Sequence, residues 1–460
     1  MNLFKLSFSY LRRRPLNTLL NILLLSFGIA TITVLLLFSY QVEENLHKNA
    51  RGIDVVVGAK GSPIQLILSS IFHIDSPTGN IKLNEAKELI SHRMVKSVIP
   101  LALGDNYKGY RIVGTTTTYI DHYDGKVSEG TIWDHEFEVV IGSDVANREN
   151  LKIGDEIISS HGLSEGGVGH HDHELKVTGI LSETGTVLDR LILTGVETMW
   201  AIHDYGDASE STVNVPLAEE NHDEDEPDHA EHEHGHTDHD HHHDDAHDQV
   251  HSDDFHNHGH DHSHGRPITD ESYLDEKFMN EELTSMLIQY TSPIAAAQFP
   301  RFVNTETSMQ AASPAFEITR LLNLLGIGLD AIEIFGYILI LAAILGIFIA
   351  LMNSMRERKY DLAIMRTLGG SRFKLFSHII LEGVIIALAG GVLGIFSGHL
   401  AVEGIGVWMA EAQQFAIRGF VILPGELKIF TLAVGIGIIS SIVPAVQAYR
   451  TDIAETLSKS

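Results

Sequence analysis

The sequence predicts an α-helical membrane protein carrying an α+β extracytoplasmic domain, with one transmembrane helix before the domain and three after it. Three observations predict this. Four segments are long, apolar and nearly free of charge: Leu16–Phe38, Ile334–Met352, Leu375–Val402 and Ile429–Ala448. Each reaches the roughly 20 residues that cross a hydrocarbon core about 30 Å thick. Lys and Arg crowd one side of those segments. Between the first and the second, short alternating apolar runs are punctuated by glycine, as strands are.

Taken in order, residues 1–15 are expected to be a cytoplasmic N-terminus, because Lys5, Arg12, Arg13 and Arg14 precede the first span and Lys/Arg-rich ends stay inside. Residues 16–40 are expected to be the first transmembrane helix. Its basic start and apolar run resemble a signal sequence. The run is too long for such a segment and no small-residue cleavage site follows, so an uncleaved anchor is expected. The domain takes 41–330 and further helices take 331–353, 375–402 and 427–448. The 354–374 loop holds Arg356, Arg358, Lys359, Arg366, Arg372 and Lys374 and should be cytoplasmic. The 403–426 loop has only Arg418 against Glu403, Glu411 and Glu426 and should lie outside. The 449–460 tail, with Arg450 and Lys459, should be cytoplasmic.

Within the domain, Ile53-Asp-Val-Val-Val-Gly, Tyr110-Arg-Ile-Val-Gly, Glu138-Val-Val-Ile-Gly, Asp155-Glu-Ile-Ile and Glu174–Leu181 read as strands. Asn84–Met94 reads as a short helix. The β-rich part is expected near 137–200, and regular structure again from about Asp275, with Leu283–Tyr290. Pro314-Ala-Phe-Glu-Ile-Thr-Arg-Leu-Leu opens a helix with proline at a favourable first position. It is expected to continue the second span outward as a stalk.

The domain is interrupted. Between His222 and His264 lie 16 of the chain's 28 histidines, interleaved with Asp, Glu, Gly and Ser. Residues 207–271, acidic and poor in apolar side chains, are expected to be a disordered insert. This segment carries most of the formal net charge of −29, so the acidity is local and nothing points to nucleic acid. Cysteine is absent, so any metal must use His and carboxylate. Imidazole suits Zn²⁺, Ni²⁺ and Cu²⁺. The candidate ligands are His229, His232, His234, His236, His239, His241, His242, His243, His256, His258, His260, His262 and His264. Their loose, repetitive spacing fits several interchangeable sites rather than one closed tetrahedron. A solvated acidic linker and a pH-responsive tract remain open readings. A smaller cluster, His161, His170, His171 and His173, sits on a hairpin, where His171 and His173 alternate. It is read either as a structured metal site, as a docking point for the tract, or as an exposed polar turn.

No Gly-x-x-x-x-Gly-Lys-Ser/Thr loop occurs, and no nucleophile–base constellation stands out, so neither enzymatic chemistry nor a catalytic cofactor is expected. The loop Arg356-Glu-Arg-Lys-Tyr-Asp-Leu-Ala-Ile-Met-Arg-Thr-Leu-Gly-Gly-Ser suits an amphipathic helix that docks on a cytosolic partner or lies along headgroups. Gly390, Gly394 and Gly398 share one face of the third span and allow close helix approach, either in a dimer or within the chain. Glu382 is an intramembrane acid, expected to snorkel or pair with an arginine, with proton or substrate handling as the other reading.

The Arg358–Ser371 stretch, the glycines that follow Glu382 and the ending Ser441-Ile-Val-Pro-Ala-Val-Gln-Ala-Tyr-Arg resemble FtsX-like, MacB–LolE-type ABC permeases. Glu138–Ser143 and Val177–Thr186 are similar to their periplasmic core domain. Asp361 stands where the family usually has Glu. The resemblance implies a homodimeric permease in the cell membrane, paired with a separate cytosolic ATPase. Its ATPase contacts would fall at Arg356, Arg358, Asp361, Arg366, Leu368 and Gly369. With the histidine tract, it makes envelope zinc or divalent-metal handling the expected function, with membrane lipid and a periplasmic metal-binding or lipoprotein partner. Two alternatives stay open: lipoprotein or peptide extraction with a metal-sensing insert, and FtsX-like regulation of an extracytoplasmic hydrolase.

Overall fold

The computed structural model describes residues 15–162, 169–210, 265–357, 371–411 and 417–450, with Ser7, Ser9, Arg12 and Thr367. A long helix, α1 (Pro15–Ala50), enters a domain built from β1 (Val55–Ala59), α2 (Pro63–Ser70), β2 (Ile81–Lys82), α3 (Leu83–Ile90), β3 (Val95–Tyr107), β4 (Tyr110–Thr115) and α4 (Thr117–His122). It continues through β5 (Val127–Gly130), β6 (Glu138–Ile141), α5 (Ser143–Glu149), β7 (Glu156–His161), β8 (Gly169–Leu181), β9 (Ile192–Gly195) and α6 (Val196–Glu210). After the insert come β10 (Glu282–Leu283), β11 (Ser285–Tyr290), α7 (Pro293–Glu306) and β12 (Met309–Ala312). Three helices complete the chain: α8 (Pro314–Glu357), α9 (Arg372–Glu411) and α10 (Gly425–Arg450).

Helices α1, α8, α9 and α10 are each long and apolar enough to cross a membrane. Helix α1 runs ten residues past its apolar stretch, because Gln41–Ala50 keeps helical backbone while turning polar. Helix α8 likewise begins at Pro314, well before its apolar run. Both therefore reach from the bilayer into the domain. Their membrane portions pack with α9 and α10 around Leu25, Ile29, Ile340, Ala343, Ile347, Ala387 and Ala433.

The main sheet holds ten strands in the order β12-β1-β11-β3-β4-β9-β6-β8-β5, with β7 bridging β3 and β8. Six of them, β3-β4-β9-β6-β8-β7, close on themselves as a small barrel. Its narrow seam pairs Asp105 with His161 and Asn106 with Ser160. The buried Asn106 side chain reinforces the seam by donating to the carbonyls of Ser160 (3.2 Å) and Gly162 (2.9 Å). Alternation along the strands splits the core in two. Tyr110, Ile112, Val139, Ile141, Leu175, Val177 and Ile192 fill one side. Val113, Val140 and Leu193 face the other, which also includes Leu37, Val42 and Leu46 of α1 and Val402 of α9. The domain and the membrane helices thus share one core.

Two expectations need correction. The β-rich part is not confined to 137–200: β1, β3, β4, β11 and β12 belong to the same sheet, and the strands after the insert pair with the first strand of the domain. The insert's expected bounds, 207–271, are also too wide. Helix α6 continues to Glu210. Beyond the tract, Arg266 donates its Nε to Glu136 (2.9 Å), His135 bridges to Pro267, and the Ile268 amide donates to Asp134 O. These contacts anchor the returning chain. Residues 211–264, and so all thirteen candidate ligands of the tract, lie outside the described residues.

Candidate functional site at the domain–membrane joint

The end of α1 is built into a loop of the domain. Asn49, buried, accepts the Val187 amide at its Oδ1 (2.9 Å), and its carbonyl accepts the Tyr123 hydroxyl (2.8 Å). Lys48 Nζ donates to the carbonyls of Thr184 (2.9 Å) and Gly185 (3.0 Å). The receiving loop is shaped by Asp189, which accepts from the Thr184 amide (2.8 Å), the Thr184 hydroxyl (2.9 Å) and the Gly185 amide (2.6 Å). Gly185 has φ +65°, a left-handed backbone that favours glycine.

Behind the joint lies a buried polar chain. His73 Nε2 is hydrogen-bonded to the Tyr119 hydroxyl (2.9 Å), and Tyr119 packs edge-on against Tyr123 at 5.3 Å between centroids. Burial, with the charges of Arg111 and Arg190 adding to it, pushes His73 down to about 3. Burial also raises the Tyr119 and Tyr123 phenols, so the chain is neutral across ordinary pH.

A second connection runs from residues 417–424, between α9 and α10. The Arg418 amide donates to Gln41 Oε1 (2.9 Å), and Gln41 Nε2 donates to the Arg418 carbonyl (3.0 Å). The Gly419 amide donates to Glu403 (2.7 Å), and the Gly419 carbonyl faces His399 Nδ1 (2.5 Å). His399 Nε2 stands 3.3 Å from Glu426, whose other oxygen accepts the Leu423 amide (2.8 Å). The Arg418 guanidinium reaches Glu183, in the loop that receives α1. Both routes from the membrane therefore converge on residues 182–189.

Below the joint, glycine seals the helices together. A Cβ at Gly390 would stand 3.0 Å from Leu25, at Gly394 2.7 Å from Ile29, and at Gly398 2.7 Å from Thr33. Of the two contacts open to this stripe, the structure contains the intrachain one, against α1. A Cβ at Gly383 would likewise stand 2.8 Å from the Gly437 carbonyl of α10. Glu382 is buried between the helices, 4 % exposed. One turn away, His378 is hydrogen-bonded to Ser7 (2.8 Å).

At the opposite end, Met355, Leu375, Ile379, Ala445 and Ala448 cluster where α8, α9 and α10 meet. This cluster supports the candidate coupling loop. Arg356 is exposed on the last turn of α8, whereas Arg358, Asp361, Arg366, Leu368 and Gly369 lie outside the described residues. His171 and His173 are placed in β8, with side chains outside the described set. Among the described residues, no three His, Cys, Asp or Glu side chains are grouped to hold a metal.

Sequence reasoning did not find Gln41, Asn49, Asp189 or Arg418 as site residues. A signal existed for two of them: Gln41 and Asn49 lie eight residues apart, on one face of a helix extended past its apolar run.

The fold defines a class: a chain with several helices able to cross a membrane, the first two carrying a domain between them. An FtsX-like permease C-terminal domain matches residues 333–453, and a MacB-like periplasmic core domain matches 18–224. The chain belongs to the FtsX-like ABC transporter permeases of the MacB type. It is 27% identical over 115 residues to the macrolide export ATP-binding/permease protein MacB of Bordetella avium, and 29% identical over 118 residues to that of Photorhabdus laumondii. Each match covers 25% of this chain and 17% of the relative. The uncharacterized ABC transporter permease YknZ of Bacillus subtilis is 27% identical over 116 residues, 25% of this chain and 27% of that protein. Among solved structures, the periplasmic region of MacB from Actinobacillus actinomycetemcomitans aligns with TM-score 0.30 and 11% identity, over 60% of this chain and 98% of that one. The extracellular domain of YknZ from Gram-positive bacteria aligns with TM-score 0.27 and 11% identity, over 56% and 99%.

Proposed function

We propose that this chain is the membrane subunit of a homodimeric ATP-driven system that moves its extracytoplasmic domain and handles zinc or a similar divalent metal at the cell envelope. The observation that carries the mechanical part is the convergence of α1 and the 417–424 connection on the 182–189 loop. A motion of the membrane helices reaches the β-domain there by a buried route through Asn49 and by the exposed Arg418–Glu183 pair. A separate cytosolic ATPase would drive it from the 354–374 loop, beside the Met355–Leu375 cluster. The MacB relatives, which are ATP-binding/permease proteins, support that partner. The Lys/Arg distribution supports cytoplasmic termini and an outside domain.

The second copy would cover the stalk of α8, where Phe316, Leu324 and Leu325 are exposed between the apolar span and the domain. The metal part rests on the histidine tract, which enters after Glu210 and leaves before Arg266. The tract would collect ions outside, and the spans would not conduct them: His378, Glu382 and His399 are their only candidate ligand types.

Deleting 222–264 tests the reading. Altered growth under zinc limitation or excess is expected, and unchanged growth under both overturns the metal part. Stimulation of ATP turnover by zinc in the reconstituted complex, lost with the tract, would favour sensing. One observation favours lipid-anchored cargo as a second reading. An apolar groove of about 580 Å³ opens between α1, α8 and α9, lined by Phe27, Val34, Phe38, Ile332 and Ile405 among others. Its size and lining suit an acyl chain.

A further inference from the structure

The connection between α9 and α10 alternates in exposure: Ile417, Gly419 and Leu423 are buried, Val421 is half-buried, and Arg418, Phe420 and Ile422 are exposed. Phe420 is 65 % and Ile422 84 % exposed. The segment also folds back along α9. Ile417 lies against Gly406, Gly419 against Glu403 and His399, and the Phe420 ring stacks on His399 at 6.4 Å. Successive residues thus descend beside α9 to His399, three residues inside the apolar span that ends near Val402.

At that depth irregular backbone needs internal partners, because lipid offers none. For Arg418, Gly419 and Leu423 they are supplied by side chains of other elements: Gln41 for the Arg418 amide and carbonyl, Glu403 and His399 for Gly419, and Glu426 for the Leu423 amide. The outward apolar side chains continue the exposed apolar surface of Leu400, Val407 and Trp408 on α9 and Leu427 and Phe430 on α10.

We propose that residues 417–424 form a re-entrant strap seated in the membrane leaflet on the domain side, with acyl chains covering Phe420 and Ile422. Arg418, at the top of the strap, stays at the interface and pairs with Glu183. The Gln41 clamp ties the strap to α1, and α1 in turn holds the 182–189 loop through Asn49.

The test uses the full chain in vesicles of phosphatidylcholine bearing bromine on the acyl chains near the headgroup. Three tryptophans are present, and Trp133 and Trp200 are buried in the domain. In a Trp408→Phe parent, Phe420→Trp should add emission that bromolipid quenches and aqueous acrylamide does not. Retained emission of the buried pair reports folding, and Ile422→Trp replaces Phe420→Trp if that variant misfolds. Quenching by acrylamide alone overturns the proposal, as water then covers the strap. Protection from both quenchers also overturns it, as protein then covers it.

Discussion

The Val187 amide and the Asn49 side chain meet in a buried hydrogen bond of 2.9 Å, which fixes the last turn of a membrane helix inside the β-domain. Asn49→Ala removes that acceptor and leaves the amide without a partner. The expected loss is about 1–3 kcal/mol. Asn49→Asp keeps that acceptor but replaces the Nδ2 donor to the Asn45 carbonyl (2.9 Å) with a buried carboxylate oxygen, so it should not recover the parental stability. Thermal unfolding of the purified chain in detergent, followed by domain tryptophan emission, checks both.

His73 makes stability depend on pH. Its ordinary value is 6.5 and burial holds it at about 3 in the fold. Below 6.5 the unfolded chain takes up a proton that the folded chain refuses. The stability His73 contributes is therefore complete above 6.5 and is lost as pH falls towards about 3. The slope over that window is about 1.4 kcal/mol per pH unit for one such group. His73 has φ 54°, which asparagine tolerates, so His73→Asn is the suitable control. Unfolding midpoints between pH 6 and pH 4 should fall more steeply in the parent than in the variant.

The parts legible in the sequence were those that repeat locally. Apolar runs gave the spans, and period-two alternation gave Tyr110–Thr115, Glu138–Ile141 and Glu174–Leu181 as strands. What was not legible depends on distant partners. Strand β1 pairs with residues 285–288 and 309–312, across an insert that hides the connection from any local pattern. The polar end of α1 broke the hydropathy signal at Gln41 while the helix went on to Ala50. The strap's partners, Gln41, His399, Glu403 and Glu426, come together only once three helices are packed.

The glycine stripe of α9 is a seal against α1. Gly394→Ala places a Cβ 2.7 Å from Ile29 Cβ and 2.9 Å from the Ser26 carbonyl, so backbone must move. Overpacking of this kind costs about 1–3 kcal/mol. Gly435 on α10 has nothing within 4 Å of its would-be Cβ, so Gly435→Ala should be neutral or slightly stabilising. Melting in detergent separates the two. Size-exclusion light scattering should show the same mass for Gly394→Ala as for the parent, since the stripe faces its own chain.

The strap is held to α1 by two different interactions, and they should differ in weight. Arg418 and Glu183 form an ion pair whose side chains are 72% and 60% exposed, so screening leaves it about 0–1 kcal/mol. Gln41 is buried and satisfies both the amide and the carbonyl of Arg418. Gln41→Ala strands both groups where water is scarce, at about 1–3 kcal/mol for each. Glu183→Gln should therefore leave the melting temperature nearly unchanged, while Gln41→Ala lowers it. Hydrogen exchange adds a local readout: the Arg418 amide, protected by Gln41 Oε1, should exchange faster in Gln41→Ala and at the parental rate in Glu183→Gln. Equal acceleration in both variants would mean that the ion pair, rather than the backbone clamp, holds the strap to the joint.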